Sequence, residues 1–251
     1  MELKVISFNI RCCDDKDGHA ISERAPRLAA VTLPIDADVI GLQEYRPKWE
    51  EHIEKIFGGK YEIFNKYRST DNPESAPILW KKDKFELVDK GYFWLSDTPE
   101  VESRGWDERF NCHRICEYVI LRPKDGGDPF TFMNTHFGFG DGGQTKSARL
   151  IYDYSRRISS YPTFVTGDFN MKPDSAGYAE MTRYFTDVNA VTAQSKKSTF
   201  HGYAPETRPD SHIDYCFAGE GVTPISWELI DGTVDGRYPS DHYGLNITLK
   251  I

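Results

Sequence analysis

The stretch TFVTGDFN, residues 163–170, is an apolar run that stops at Gly167 and passes into two oxygen-bearing side chains, Asp168 and Asn170. An apolar run around Val165 is typical of a buried strand, and a glycine at its end lets a ligand or backbone come close. Asp168 and Asn170 stand two residues apart, so in an extended chain they project from one face. Their oxygens are the ligand type of magnesium-like cations. An Asp-x-Asn after a strand is also a common turn, so the rest of the chain must decide.

The composition predicts an ordinary globular protein. Of the 251 residues, 39% are hydrophobic and 14% aromatic, which is ample for a core. No repeat, linker or low-complexity stretch interrupts the chain, so we expect a single domain over residues 1–251. The formal net charge of -8 argues against a broad basic face for gripping duplex nucleic acid, but it is compatible with a local basic cleft.

The cysteines and the apolar runs bear on location. Five cysteines without paired C-x-x-C blocks predict reduced thiols. A zinc protein built on Cys112, His113 and Cys116 is an alternative, but this trio lacks a fourth well-spaced soft ligand. The first residues lead straight into a strand pattern, and no apolar run is long enough to cross a bilayer. We therefore expect a cytoplasmic protein with no membrane anchor, and the sequence indicates no obligate protein partner.

Periodicity predicts many short strands and a few helices. Apolar alternation and turn signals predict strands over 3–10, 38–44, 61–65, 76–81, 85–95, 115–121, 130–136, 163–168, 212–218, 225–230 and 243–251. Helical spacing is found over 22–33, 47–57, 145–160 and 175–184. We interpret the strands over 61–65, 76–81 and 85–95 as a meander. So many strands, several joined by hairpin-length turns, favour two largely antiparallel sheets packed face to face.

Polar side chains recur where apolar segments end. A single residue of this kind is usually a cap, a turn former or a satisfied core polar group. A whole set at the points where strands pass into loops is typical of a functional site. The set comprises Asn9, Glu44, His136, Asp168 with Asn170, Asp214, and the pair Asp241-His242.

Six short blocks, found in order along the whole chain, resemble the endonuclease/exonuclease/phosphatase superfamily. That superfamily includes apurinic endonucleases, deoxyribonucleases, inositol polyphosphate phosphatases, sphingomyelinases and deadenylases. The resemblance implies an α/β (α+β) fold, a four-layer sandwich in which helices flank two mixed, mostly antiparallel β-sheets. Residues 93–99 and 198–202 resemble a bacterial branch of the superfamily. The six blocks are SFNIR (7–11), GLQE (41–44), NTHF (134–137), TGDFN (166–170), HIDY (212–215) and PSDH (239–242).

The resemblance implies a metal site and a water nucleophile. Glu44 matches the main metal ligand of the superfamily. Asn9 and Asp241 would complete the oxygen shell of Mg²⁺ or Mn²⁺, much of it through water. Asp168 matches the group that positions or deprotonates the attacking water. Asn170 matches the amide that holds the phosphate and the nucleophile together.

Further residues match groups that contact the phosphate. His242 would contact the scissile phosphate, with Asp214 fixing its tautomer and orientation. His136 matches a second histidine of the superfamily, and Glu74 its usual glutamate partner, a pair that would act on the leaving side. Arg114 suits phosphate binding through its planar fork. Two other arginines, Arg11 and Arg68, lie close in sequence to these residues and are also expected to bind substrate.

The substrate is the least determined part of the prediction. Basic residues occur in short pairs such as Lys81-Lys82, Arg156-Arg157 and Lys196-Lys197, which suit solvated faces better than a duplex-binding surface. We therefore expect a hydrolase of a compact phosphoester, or of a short single-stranded end, and leave open whether it cleaves a diester or a monoester. A DNA or RNA nuclease is the alternative enzyme. A catalytically inactive binding module is the alternative of another class, but the residues that such a module would lose are all present.

Overall fold

A computed structural model describes residues 1–192 and 198–251. The predicted basic pair Lys196-Lys197 lies outside these residues. No helix in the described ranges is both long and apolar enough to cross a membrane. The elements are, in chain order, β1 (Glu2–Asn9), α1 (Ile21–Thr32), β2 (Val39–Gln43), α2 (Pro47–Phe57), β3 (Tyr61–Phe64), β4 (Ile78–Lys81), β5 (Phe85–Trp94), β6 (Ile115–Pro123), β7 (Phe130–His136), α3 (Asp141–Ile158), β8 (Thr163–Asp168), α4 (Ala176–Met181), β9 (Thr186–Asp187), α5 (Val188–Thr192), β10 (Asp214–Ala218), β11 (Thr223–Ile230) and β12 (Gly244–Lys250), with short 3₁₀ turns at Leu33–Ile35 and Pro205–Thr207.

The strands form two six-stranded sheets. The order is β11-β12-β1-β2-β4-β3 in the first sheet and β5-β6-β7-β8-β10-β9 in the second. Two pairs are parallel, β1 with β2 and β7 with β8, and the other pairs are antiparallel. The predicted architecture of two mixed, mostly antiparallel sheets is therefore confirmed.

The layers follow from side-chain alternation along each strand. In β1, Leu3 and Val5 belong to the core between the sheets, whereas Ile6 and Phe8 pack in the core that contains residues of α1 and α2. In β8, Phe164 joins the inter-sheet core, and its neighbour Val165 joins the core that contains residues of α3 and α4. Both faces of each sheet are thus covered, which gives the four layers.

One strand pairing differs from the sequence prediction. β5 does not extend the pair of β3 and β4. It pairs with β6 in the second sheet, so the predicted meander over 61–95 is wrong. The turn 82–84 has the length of a hairpin loop but carries the chain from one sheet to the other. In addition, α3 begins at Asp141, before the predicted start at 145, because Gly140 takes a left-handed φ of 103° and its carbonyl accepts the N–H of Gln144.

Candidate active site

The predicted site residues lie at one open end of the layer between the two sheets. Strand register explains this: His136 pairs with Asp168 across the parallel strands β7 and β8, and Asp168 pairs with Asp214 across β8 and β10. Each shares the inter-sheet face of its strand with core residues, which are Phe130 and Phe132 in β7, Phe164 in β8, and Cys216 and Ala218 in β10. On the facing sheet, β1 ends at Asn9 and β2 ends directly before Glu44. The two sheets therefore present their polar residues to the same cleft.

The cleft has a volume of about 840 Å³. Asn9 and Asp214 lie directly behind its wall, hydrogen-bonded to Asp168 and His242 respectively. The sequence-predicted site residues are thus brought together although they span most of the chain. Those that line the cleft are Arg11, Glu44, Arg68, Glu74, Arg114, His136, Asp168, Asn170, Asp241 and His242.

Asp168 lies at the centre of the site. Its Oδ2 accepts a hydrogen bond from the Asn9 amide at 3.0 Å, and its Oδ1 accepts the backbone N–H of Asn170 at 2.9 Å. The Nε2 atoms of His136 and His242 lie 3.6 and 3.7 Å from Oδ2. Burial, followed by the negative charge of Asp214, raises the pKa of Asp168 to about 7. A carboxylate with such a pKa is suited to accept a proton near neutral pH.

His242 and Asp214 form a buried pair. The Nδ1 of His242 lies 2.9 Å from Oδ2 of Asp214. Burial alone lowers the pKa of His242, but the negative charge and hydrogen bond of Asp214 outweigh it and raise the pKa to about 10. His242 is therefore an imidazolium at neutral pH, and its free Nε2 edge faces the centre of the site.

Three site residues have left-handed backbone conformations. The φ angles are 61° at Arg11, 60° at Glu44 and 49° at Asn170. Such a conformation costs a non-glycine residue about 1–3 kcal/mol, which the surrounding structure must offset. Here local hydrogen bonds do so, because the N–H of Cys12 donates to Glu44 Oε2 at 2.8 Å and the N–H of Asn170 donates to Asp168. This clustering of strain is typical of functional sites.

The chemistry of the predicted metal ligands fits a hard divalent cation. Glu44 and Asp241 flank the Arg11 guanidinium, with Nη1 at 3.9 Å from Glu44 Oε2 and Nε at 3.7 Å from Asp241 Oδ2. A positive group thus already lies between the two carboxylates, and the donors are oxygens, as Mg²⁺ and Mn²⁺ prefer. Asn9 points its amide nitrogen at Glu44 and Asp168, and its oxygen accepts the N–H of Arg11.

A second group of potential ligands has a different meaning. Ligand atoms of Asp168, Asp214 and His242 lie within 4.8 Å of one another. Of the three, only Asp168 contacts the amide of Asn9, a predicted metal ligand. An imidazole is a poor ligand for magnesium-type cations, and His242 already shares Nδ1 with Asp214. We therefore interpret this group as an acid–base arrangement beside the metal site.

Glu74 is engaged differently from the sequence prediction. Its Oε1 lies 3.7 Å from Nδ1 of His136, which is too far for a hydrogen bond. Instead Glu74 accepts hydrogen bonds from Arg68 and Arg46. Burial, followed by the positive charge of Arg114, lowers the pKa of His136 well below its usual value. A neutral imidazole competes poorly with two guanidinium groups for one carboxylate, and this explains the difference.

Arg114 lines the cleft but is also tied to a carboxylate. Its Nε and Nη2 donate to Oδ2 of buried Asp107 at 3.1 and 3.0 Å. The other oxygen of Asp107 accepts the backbone N–H groups of Arg109 and Phe110. Asp107 therefore fixes both Arg114 and the loop beside it. The charged but aperiodic segment 97–113 contained no pattern from which this role was predicted.

Arg24 is a supporting residue that sequence reasoning missed. It is fully buried, lies over the Trp49 ring at 5.1 Å, and forms no ion pair with a described residue. Its guanidinium makes five hydrogen bonds, the full donor capacity of an arginine. All go to backbone carbonyls in the segments that carry Arg11, Asp241 and His242. The acceptors are the carbonyl oxygens of Ile10, Arg11, Cys13, His19 and Pro239.

Hydrogen bonds of the buried Asn134 side chain join the two sheets next to the site. The amide of Asn134 donates to the carbonyl of Leu42 at 2.8 Å, and its oxygen accepts from Gln43 at 2.8 Å and Thr166 at 3.0 Å. A Cβ on Gly41 would lie 2.6 Å from the Asn134 oxygen, so only glycine permits this approach. These hydrogen bonds fix the spacing of the two sheets where their polar residues meet.

Comparisons with known proteins identify the family. The cleft combines carboxylates, two histidines and arginines, a set of side chains that suits hydrolysis of phosphate esters. Residues 6–242 match the Endonuclease/Exonuclease/phosphatase family, and the chain belongs to this family. The sequence-level resemblance is thereby confirmed.

Solved structures and one curated protein are similar to this chain. An endonuclease/exonuclease/phosphatase family protein from Bacteroides thetaiotaomicron is 28% identical, with a TM-score of 0.91 over 99% of this chain and 97% of that one. A mannosyl-6-phosphatase from Bacteroides thetaiotaomicron is also 28% identical, with a TM-score of 0.89 over 99% of this chain and 100% of that one. A protein of Acanthamoeba polyphaga mimivirus is 27% identical in an alignment of 150 residues that covers 50% of this chain and only 22% of that protein.

Proposed function

We propose that the protein is a Mg²⁺- or Mn²⁺-dependent phosphoesterase that hydrolyses a compact phosphorylated substrate, in the first instance a sugar phosphate, by in-line attack of an activated water. One observation carries the proposal: a buried carboxylate with a near-neutral pKa, Asp168, faces the imidazolium of His242, which Asp214 holds in place. A proton acceptor and a positively charged phosphate contact are the two groups that such a hydrolysis requires.

Each proposed step uses a group of this chain. Asp168 takes a proton from water while the water oxygen bonds to phosphorus, and the bond from phosphorus to the leaving oxygen breaks. The imidazolium of His242 stabilises the charge on the phosphoryl oxygens. Asn170 lines the cleft, where its amide contacts Nε2 of His136 and the carbonyl of Phe137, and it would orient the phosphate beside that histidine. The leaving oxygen takes its proton from solvent, with neutral His136 as a hydrogen-bond partner on that side.

Three arginines of the cleft would contact both the protein and the substrate. Arg11, Arg68 and Arg114 each carry a carboxylate partner within the protein. We propose that they share their remaining donors with the scissile phosphate, because one guanidinium offers five N–H groups. Glu74 then acts as the group that orients Arg68 and Arg46.

A cation would be held by Glu44 and Asp241 with Asn9. When bound, it would neutralise charge on the phosphate oxygens that the histidine and arginines compensate only in part. Because such a cation and the Arg11 guanidinium favour the same place between the carboxylates, we expect Arg11 to turn toward the substrate when metal is present.

Three observations support a compact substrate. The chain is acidic, with 39 acidic and 31 basic side chains, so extended polyanions are repelled from most of its surface. The cleft of about 840 Å³ is within the usual range for small-molecule sites. A relative of similar length that is named a mannosyl-6-phosphatase aligns over its full length.

The test is a substrate panel with magnesium and with manganese. It contains hexose 6-phosphates, nucleoside monophosphates, inositol phosphates, simple diesters, single-stranded oligonucleotides and abasic duplex DNA. Asp168→Asn protein purified in parallel is the blank. We expect the highest kcat/KM among the small phosphomonoesters. Efficient cutting of duplex DNA that weakens about tenfold or more with a few-fold rise in salt would replace the compact substrate by a nuclease function.

A further inference from the structure

The basic side chains of the cleft fall into two groups. Seven arginines and lysines among the described residues line it. Four have carboxylate partners in the protein: Arg11 with Asp15, Arg46 and Arg68 with Glu74, and Arg114 with Asp107. The other three are Arg109, Lys172 and Arg208, and within the described parts of the chain no ion pair or side-chain hydrogen bond is found for them.

The two arginines of this second group lie on aromatic rings. The Arg109 guanidinium is 5.0 Å from the ring centroid of Phe110 and 5.1 Å from that of Phe139. The Arg208 guanidinium is 4.7 Å from the centroid of Phe200. An arginine over a ring is partly desolvated and held in place, while its N–H edge stays free for an anion. The exposed side chain of Phe110 keeps its place in the cleft wall through an edge contact with Phe139.

Each of the three cations is close, in space or in sequence, to a residue of the inner site. The Phe200 ring lies 4.8 Å from the His242 ring, so one aromatic layer separates Arg208 from His242. Arg109 belongs to the loop that Asp107 holds, and the same Asp107 also accepts hydrogen bonds from Arg114. Lys172 stands two residues after Asn170. All three are exposed and line the cleft that contains Asp168, and we define Arg109, Lys172 and Arg208 as its outer wall.

The outer wall of the cleft carries positive charge, whereas the protein as a whole is acidic. The chain has a net charge of -8. Each of the inner cleft arginines has a carboxylate partner in the protein. Clefts lined by one sign of charge concentrate ligands of the opposite sign. A scissile phosphate bound deep in the cleft would leave the outer wall to the remainder of the substrate.

We propose that the outer wall is a second anion-binding subsite. The preferred substrate then carries a second anionic group besides the phosphate that is hydrolysed, and this second group is another phosphate. This inference rests on the proposed function, because it assumes that the first phosphate lies beside Asp168 and His242. It narrows the substrate class from phosphate monoesters to compact bisphosphates. Carboxylated sugar phosphates share the same chemistry and form a separate arm of the test.

The experiment compares matched substrates that differ in one anionic group. Fructose 6-phosphate is compared with fructose 1,6-bisphosphate, adenosine 5′-monophosphate with adenosine 3′,5′-bisphosphate, and glucose 6-phosphate with 6-phosphogluconate. We expect the second anion to raise kcat/KM by about tenfold or more, mainly through KM, as one good charge-assisted contact would do. In Arg109→Gln, Lys172→Gln, Arg208→Gln and the triple variant this preference should shrink, most in the triple.

Arg156→Gln is the matched control. Arg156 is exposed, lies outside the cleft, and has only a 3.9 Å contact with an exposed glutamate. It changes the net charge by the same amount as each test variant and should leave the substrate preference as in the wild type. If wild-type protein shows no preference for the second anion, or if the triple variant keeps the full preference, the proposal is wrong.

A binding measurement separates this inference from the proposed function. Titration calorimetry with methylphosphonate and methylenebisphosphonate measures the second anion without turnover. The outer wall predicts tighter binding of the bisphosphonate and loss of that advantage in the triple variant. Absence of hydrolysis with every substrate would refute the proposed function alone, whereas equal binding of the two phosphonates would refute the second subsite alone.

Discussion

The inner end of the cleft and its outer wall are built in opposite ways. At the inner end the groups are buried, placed by strand register, and matched charge against charge, as in the pair of His242 with Asp214. At the outer wall the cations are exposed and placed by loops, and its two arginines are matched only with aromatic rings, as in Arg208 over Phe200. A preorganised interior suits chemistry that must be the same in every turnover. An open, uncompensated wall suits recognition of a ligand that arrives from solvent.

Removal of metal should cause the largest loss of phosphoesterase activity, because it disables the inner end of the cleft as a whole. We expect chelated protein to lose all measurable phosphoesterase activity and to regain it on addition of Mg²⁺ or Mn²⁺, since the oxygen donors of Glu44 and Asp241 suit these ions. Initial rates before and after readdition measure this, with unfolding temperature as the control for integrity. Full activity in protein shown to be metal-free by elemental analysis would contradict the mechanism.

Substitution of Asp168 should come next. Asp168→Ala removes the proton acceptor and should lower kcat by at least about 10²-fold, with little change in circular dichroism. Asp153→Ala, which removes an exposed carboxylate outside the cleft, is the matched control and should behave as the wild type. A loss of less than about threefold in Asp168→Ala would assign the water-activating role to another residue.

Substitution of Asp214 tests whether the charge of His242 depends on its buried partner. In the wild type the pKa of His242 is raised to about 10, so the imidazolium is lost only as pH rises through that value. Asp214→Asn removes the negative charge, so the pKa should fall and the high-pH limb of the kcat profile should move to lower pH. We also expect kcat to fall by at least about tenfold. An alkaline limb that does not move would show that the activity does not depend on this pair.

Substitution of Arg24 should have the smallest effect of the four, since it acts through backbone segments. A lysine has three donors in place of five, so Arg24→Lys leaves carbonyls unsatisfied in the segment that carries Arg11 and in that of Asp241. We expect Mn²⁺ affinity, measured by electron paramagnetic resonance of free Mn²⁺, to fall a few-fold. This is below the roughly 10- to 100-fold typical of groups that contact metal ligands directly.

The neighbouring Arg27 provides the control for that experiment. Arg27 also donates to two backbone carbonyls of these segments, those of Gly18 and Tyr238, but neither residue adjoins a predicted metal ligand. Arg27→Lys should lower stability without altering Mn²⁺ affinity. If both variants lose stability and neither loses Mn²⁺ affinity, Arg24 has a general structural role only.

The sequence predicted the inner end far better than the outer wall. Polar residues that close apolar strands, such as Asn9 and Asp168, are visible because the strand pattern marks where they stop. Arg109 and Phe110 lie in an irregular loop with no period, and nothing in one sequence distinguishes a loop arginine over an aromatic ring from a solvated one. The resemblance to a family named the inner residues one by one but was silent on the rim.

Partners across space were also beyond sequence reasoning. The predicted pair of His136 with Glu74 is replaced by Glu74 with Arg68 and Arg46, because the competition between donors depends on distances that only packing sets. The position of β5 in the second sheet has the same origin, since a turn of hairpin length also fits a crossing between sheets.

Phosphate-ester chemistry was implied by the resemblance of six short blocks to a family. The sequence by itself determined where most strands and helices run and which oxygen-bearing side chains end them. These properties follow from alternation and residue type, which act over a few neighbours along the chain. Tertiary structure alone decided that two sheets open at the same end and that a buried arginine holds five carbonyls there. It also decided that three cations of the cleft have no carboxylate partner among the described residues. These properties depend on contacts between residues distant in sequence, whose geometry is set by the packing of the two sheets.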